Sequence, residues 1–300
     1  MNDDRLHWNL YKNIERELIA LSWVISIDDD QVKVYSMKIA DLLVSTSVAI
    51  EALAKELFIK TNGRPVNPKT VNPYFDSDCI CHLNGLWQIE KKELIISAPS
   101  FYLSEKMRTI TPLAGCSQKH SGEWKCAYQD VKHNRVVELK KGNLWNLINA
   151  LGALFILNLY NMNVTLDLGN CQSLQKFGSS FGSEIFSVKV HAFAGISGGG
   201  ALTVGQDLEK CVYAIRVAPD ARERFVAVMS KITHSYLQAQ LSRIDSSNLE
   251  ALAHLNVDYS NLKPHVQANY SEFHAATLGM RYEAVLNTTE NLGVVERKQC

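Results

Sequence analysis

Along the first 25 residues, Leu10, Ile14, Leu18, Leu21 and Ile25 recur at steps of four and three. That spacing lays apolar side chains along one stripe of an α-helix. Asp28-Asp29-Asp30 interrupts the stripe and offers an N-cap for a second helix, expected from Gln31 to about Lys60,. Ile39, Leu43, Ile50, Leu53 and Leu57 would form its buried face. Asn62-Gly63-Arg64-Pro65 is expected to end it, through a glycine free to turn left-handed and a proline that cannot continue a helix. Between residues 61 and 123 the pattern weakens and five prolines punctuate it, with one short helix expected near Asp76 to Gln88. Periodicity returns at WKCAYQDVKHNR (Trp124 to Arg135). After a basic turn at Lys140-Lys141-Gly142 comes the apolar run LWNLINALGALFILNLY (Leu144 to Tyr160). These segments predict an all-α bundle of four to five helices over residues 1–165.

Beyond residue 166 the pattern changes. SEIFSVKVHAFA, CVYAIRVA and HAATLGMRYEAVL alternate as strands do; in the last, Leu278, Met280, Tyr282, Ala284 and Leu286 would share one face,. PDARERFVAVMSKITHSYLQAQL lies between the second and third and reads as a helix, with Pro219 at its start and Phe225, Met229, Ile232 and Tyr236 at helical steps,. A shorter helix is expected from Ser246 to Leu255, and residues 163–183 have a linker's composition. The fold class expected is α+β overall: a helical bundle over 1–165, then a smaller α+β domain over 166–300.

Composition narrows the function classes. The 31 acidic and 31 basic residues balance, so no global field steers the chain towards a polyanion, and a polyanion would need a local patch,. The start, MNDDRLHW, lacks an apolar run, and the seven cysteines have no framework spacing. No secretory signal and no disulfide scaffold are expected, and a reducing cytoplasm is the expected compartment. The run 144–160 falls short of the roughly 20 residues of a membrane span. It also carries Asn146, Asn149 and Asn158, whose amides are costly in lipid, so it reads as a buried core helix and no membrane is expected as a partner,.

On a helix at about 100° per residue, Trp124, Ala127, Tyr128 and Val131 of WKCAYQDVKHNR gather on one side. His133 falls nearly opposite, beside Cys126, Gln129 and Asp130, and the helix is expected to end or bend near Asn134. The bland reading is a helix C-terminus that welcomes Lys132, His133 and Arg135 for dipole reasons. From residue 119 to 141 six basic residues face three acidic ones, a modest positive patch.

The stretch LIISAPSFYLSEKMRTITPL, then Trp124 through KHNR to the apolar run, resembles uncharacterised bacterial proteins of the HEPN superfamily (higher eukaryote and prokaryote nucleotide-binding domains). The resemblance covers roughly residues 35 to 160 and is strongest over 87–160. It implies a dimerising helical bundle and, in many members, a metal-independent endoribonuclease of toxin–antitoxin, abortive-infection or antiphage systems. The family motif is an arginine, a polar residue, then a histidine four to six positions after the arginine. Cutting RNA without metal needs a proton removed from a 2′-hydroxyl and one supplied to the leaving 5′-oxygen, which imidazole does near neutral pH. A guanidinium grips the phosphate. His133 matches the motif's histidine; four to six residues upstream stand Gln129, Tyr128 and Ala127, and the arginine, Arg135, follows instead.

The resemblance thus points to His133 and Arg135 as catalytic, with Lys132, Asn134 and Gln129 binding. No cofactor is expected. RNA, a second copy through the bundle and a protein docked on the C-terminal domain are the expected partners. The alternative is a non-catalytic dimerisation or partner-binding module. Cys79, Cys81, His82, Cys116, His120 and Cys126 lack the spacing of a common zinc site and read as scattered small hydrophobes, so no metal is expected. Gly195 to Gly200 (GISGGG) reads as a hairpin loop, and Glu51 and Glu56 are assigned no role.

Overall fold

The computed structural model describes residues 4–67, 72–170, 178–191, 207–242 and 262–288. Helix α1 (Asp4–Leu21) buries Tyr11, Ile14, Glu15 and Leu18. The expected stripe is rotated by one position at its start: Leu10 is 39% exposed and Tyr11 is inside. The tyrosine can enter because its hydroxyl finds a buried acceptor, Glu15, one turn later,. Asp28 does not cap a helix. It closes strand β1 (Ile27–Asp28), and its carboxylate accepts from the backbone N–H of Asp30 and Gln31 in a tight turn,.

Helix α2 (Met37–Lys60) therefore starts later than Gln31, capped by the Ser36 hydroxyl, which accepts from the Ile39 N–H at 3.2 Å. Ile39, Leu43, Ile50, Leu53 and Leu57 are all buried. At its end Asn62, not Gly63, takes the left-handed conformation (φ 56°). Gly63 serves a different need, since a Cβ there would lie 2.3 Å from the Phe58 ring.

The helix expected at 76–88 forms as a π-helical turn, Phe75–Ile80, leading into α3 (Cys81–Trp87). The all-α expectation for the first half is then corrected by β2 (Leu94–Ile96), β3 (Phe101–Tyr102) and β4 (Thr109–Ile110), with the short α4 (Glu105–Arg108) between the last two. β3 pairs in parallel with β1. Next come α5 (Glu123–His133), α6 (Arg135–Glu138) and α7 (Leu144–Met162). Helix α7 is apolar all round and buries all but three of its residues. Such a helix must be wrapped, and α1, α2 and α5 pack on it,. It is the one helix among the described residues long and apolar enough to cross a membrane, but 89% of that window is buried inside the protein, the pattern of a core helix. Asn149 and Asn158 donate to carbonyls one turn back, and Asn146 donates to the Lys141 carbonyl.

The second half supplies β5 (Leu166–Gly169), β6 (Phe186–Val188), β7 (Val190–His191), β8 (Tyr213–Val217), α8 (Pro219–Leu241) and β9 (Tyr282–Leu286). β6 pairs antiparallel with β2, Leu94 opposite Val188 and Ile96 opposite Phe186. The other strands form a sheet in the order β5-β9-β8-β7, with β8 and β9 antiparallel at its centre and β7 parallel to β8. Two expectations change here. β5 occupies part of the presumed linker, and Leu278 ends a helix, Tyr270–Leu278, with its side chain 63% exposed. Met280, Tyr282, Ala284 and Leu286 do share the buried face. The helix expected at Ser246–Leu255 and the loop Gly195–Gly200 lie outside the described residues.

The whole is a mixture of helix and sheet, α+β, and one cluster of buried side chains runs from α1 and α2 through α7 to β6, β8 and β9. Tyr11, Phe155 and Phe186 stack in series across that path, with ring centroids 5.4 and 5.9 Å apart. Glu15 closes the same seam. Its Oε1 accepts from the hydroxyls of Tyr11 (2.8 Å) and Ser183 (2.6 Å) and from the N–H of Glu184 (2.9 Å), while Lys12 pairs with its other oxygen.

Candidate functional site

Helix α5 buries Trp124, Ala127, Tyr128 and Val131, the face its periodicity predicts, and the Trp124 Nε1–H donates to the Pro112 carbonyl at 2.6 Å. Lys125 is buried as well. Its ammonium donates to the carbonyls of Cys116 (3.1 Å) and Gln118 (2.6 Å) and lies 3.7 Å from Asp76. The lysine thereby holds the loop before α5 against the helix. That loop needs left-handed backbone at Gly115, His120 and Gly122 (φ 71°, 61° and 85°). At Gly122 a Cβ would also crowd the Cys116 sulfur at 3.0 Å. His120 accepts the left-handed conformation without being glycine, a departure that often marks functional positions.

Between this loop and the exposed side of α5 opens a cleft of about 630 Å³. Helix α5 contributes Lys125, Cys126, Gln129, Asp130 and His133; the loop adds Lys119 and His120; Glu51 of α2 and the turn residues Phe75 and Asp76 close the far wall. The cleft holds two imidazoles, an amide and two ammonium groups beside three carboxylates. Two of those carboxylates are answered: Asp130 pairs with Lys141 at 2.7 Å, and Asp76 faces Lys125.

Of the five residues singled out from the sequence, His133 and Gln129 line this cleft and are exposed. The other three are directed elsewhere. Asn134 (φ −143°, ψ 57°) breaks the helix where a break is expected, and α6 starts afresh at Arg135. The Arg135 guanidinium donates to Asp41 on α2 at 2.5 Å. Lys132 folds back on its own helix, donating to the Tyr128 hydroxyl at 3.2 Å with its ammonium 5.2 Å from the ring centre. That hydrogen bond raises the Lys132 pKa above its ordinary value. The local positive excess is largely spent inside the surface, because Lys141 also pairs with Glu138 at 2.8 Å and its pKa rises through its bonds to Asp130 and Glu138.

Sequence reasoning passed over His120 as anything but a metal ligand. Its only sequence signal was a histidine followed by Ser-Gly in a turn-forming stretch, and only the folded loop carries it into the cleft with His133. The N-terminal cysteines and histidines do not converge on one point among the described residues. Cys79 and Cys116 are buried, and burial pushes both thiols up to about 12, which makes them poor nucleophiles,. Comparison with protein-family models, curated proteins and solved structures finds no match for this chain.

Proposed function

We propose that this chain is a cytoplasmic HEPN-like protein that acts on RNA as a metal-independent endoribonuclease, in antiphage defence or toxin-type growth control. The observation that carries the reading is the exposed His133 at the end of α5, in a cleft it shares with His120. One neutral imidazole takes the proton of a 2′-hydroxyl, and the freed oxygen attacks the adjacent phosphorus. The second, protonated imidazole gives its proton to the departing 5′-oxygen, leaving a 2′,3′-cyclic phosphate and a 5′-hydroxyl. We assign the base to His133 and the acid to His120. Lys119 supplies positive charge at the phosphate and the Gln129 amide a neutral donor. A second copy docks through the helical bundle, and the second half of the chain offers a surface for a regulatory protein.

A second reading, a non-catalytic module that dimerises or binds a partner, is favoured by the engagement of Arg135 with Asp41 and of Lys132 with Tyr128. Incubation of purified protein with labelled single-stranded RNA, chelator present, separates the two. Loss of a general acid or base costs about 10²–10⁴-fold in rate, so His133→Ala and His120→Ala are each expected to lose cleavage on that scale. Equal product from wild type and both variants, or none from any, leaves the module. Arg135→Ala asks whether the guanidinium leaves Asp41 for phosphate: a loss matching that of His133→Ala adds it to the site, and an unchanged rate keeps it structural.

A further inference from the structure

We propose that His191, Asp207 and Cys211 form a binding site for a zinc ion at the edge of the four-stranded sheet, independent of the RNA cleft. One imidazole nitrogen, one carboxylate oxygen and one sulfur lie within 4.8 Å of one another. His191 Nδ1 is 2.9 Å from Asp207 Oδ1, and Cys211 Sγ is 4.0 Å from Asp207 Oδ2. Zinc bonds of about 2.0–2.3 Å in a tetrahedron put ligand atoms about 3.3–3.7 Å apart, so small side-chain rotations complete the site.

The backbone that carries these donors is held from several sides. His191 sits on β7, which pairs in parallel with β8 from Tyr213, two residues after Cys211. Asp207 and Cys211 flank the 3₁₀ turn Leu208–Lys210, where the Lys210 N–H donates to the Asp207 carbonyl (3.0 Å) and the Cys211 N–H to that of Leu208 (3.1 Å). The Asn287 amide, just past β9, donates to the carbonyls of Leu208 (2.5 Å) and Cys211 (3.0 Å). From the other side the buried Lys92 donates to the Glu209 carbonyl (2.9 Å), and the Glu93 N–H donates to that of Lys210 (2.9 Å). A short turn fixed in this way holds its ligands in place before the ion arrives, which is what a metal site requires.

The donor set selects the metal. Thiolate with imidazole and carboxylate suits zinc, whereas magnesium and calcium take oxygen ligands alone. On binding, the S–H bond of Cys211 breaks, a Zn–S bond forms and the proton leaves to water. Thiolate and carboxylate then neutralise the dication. Three protein ligands supply three of the four positions of a tetrahedral zinc,. The competing account is a plain His191–Asp207 ion pair beside a thiol that acts as a small buried hydrophobe.

The 300-residue chain, stripped with chelator, is titrated with zinc against a chromophoric competitor and separately with cobalt. One equivalent of zinc is expected to bind, and the cobalt form is expected to show a thiolate charge-transfer band. Cys211→Ser should remove the band, and both Cys211→Ser and His191→Gln should weaken zinc by more than the roughly 10–100-fold that losing an outer-shell partner costs. Cys81→Ser and Cys126→Ser, at more accessible thiols, should change neither. X-ray absorption of the zinc-loaded wild type needs no variant and should report one sulfur among nitrogen and oxygen ligands. Failure to bind a stoichiometric equivalent, a charge-transfer band that survives Cys211→Ser, or an absorption spectrum with no sulfur or several overturns the proposal.

Discussion

Glu15 and His133 are both polar side chains on helices packed against α7, and the fold treats them oppositely. Glu15 is completely buried and its carboxylate is met by two hydroxyls, backbone N–H groups and an ammonium. His133 stands exposed at a helix end on the rim of a cleft. A polar group whose bonds are all spoken for inside the protein joins one part of the chain to another, here α1 to the turn before β6. One left open to solvent in a cleft remains accessible to a ligand,. The contrast separates fold from function, and mutation can test it from either end.

The largest effect is expected at the buried end. Glu15→Ala removes the acceptor shared by the Tyr11 and Ser183 hydroxyls and the Glu184 N–H, and leaves Lys12 only the Gly182 carbonyl and the exposed Glu184 carboxylate. Breaking a buried charged network by removing one partner costs about 3–5 kcal/mol, to be read from urea unfolding. The pH dependence sharpens the point. Burial alone would raise the Glu15 pKa, but hydrogen bonds from Lys12, Ser183, Tyr11 and the Glu184 N–H outweigh it and hold the carboxyl below its ordinary value. A carboxyl depressed in the folded state contributes stability in full above the unfolded pKa of about 4.3. That contribution is lost as pH falls through the lower folded value. Wild type should therefore lose stability to acid below about pH 4.3 more steeply than Glu15→Gln, and parallel acid slopes would show that the carboxylate is not the group being stabilised.

A smaller cost is expected at Gly63, which separates packing from turn chemistry. Its added Cβ would meet the Phe58 ring at 2.3 Å, and that ring is 2% exposed, with little room to move. Overpacking of this kind costs about 1–3 kcal/mol. Gly63→Ala in a Phe58→Leu background should lose less than in wild type. Equal losses in both backgrounds would place the cost in the backbone instead.

What could be read from the sequence divides by range. The face Ile39 to Leu57 and the face Trp124 to Val131 were legible because a helix states its burial within its own residues. So was the exposure of His133, and so was the helix break at Asn134. β2 was not legible: Leu94-Ile95-Ile96 is too short for a period, and its partner β6 lies in the other half of the chain. Leu278 was misread because its spacing to Met280 and Tyr282 continues a strand alternation across a helix end at Gly279. The cleft was half legible. His133 and Gln129 follow from helical geometry, whereas His120 reaches them through three left-handed residues and the grip of Lys125 on two carbonyls, none of which has a spacing to find.

The smallest effects are expected at the open end, and there the sign matters more than the size. Residues kept for a ligand should be removable without harm to the fold, so His133→Ala should shift stability by no more than about 0.5 kcal/mol, the usual range for surface substitutions. His120 goes further, because its left-handed backbone is disfavoured for any side chain by about 1–2 kcal/mol. Glycine relieves that strain and gives back part of the gain through the freedom of the unfolded chain. His120→Gly should therefore stabilise the protein by under about 1 kcal/mol, measured by urea midpoint, and, on the function proposed above, should lose RNA cleavage. A gain in stability joined to a loss of activity is what a site maintained at the fold's expense produces. Loss of both together would mean that the His120 ring packs for structure, and the cleft would then join Glu15 on the architectural side of the comparison.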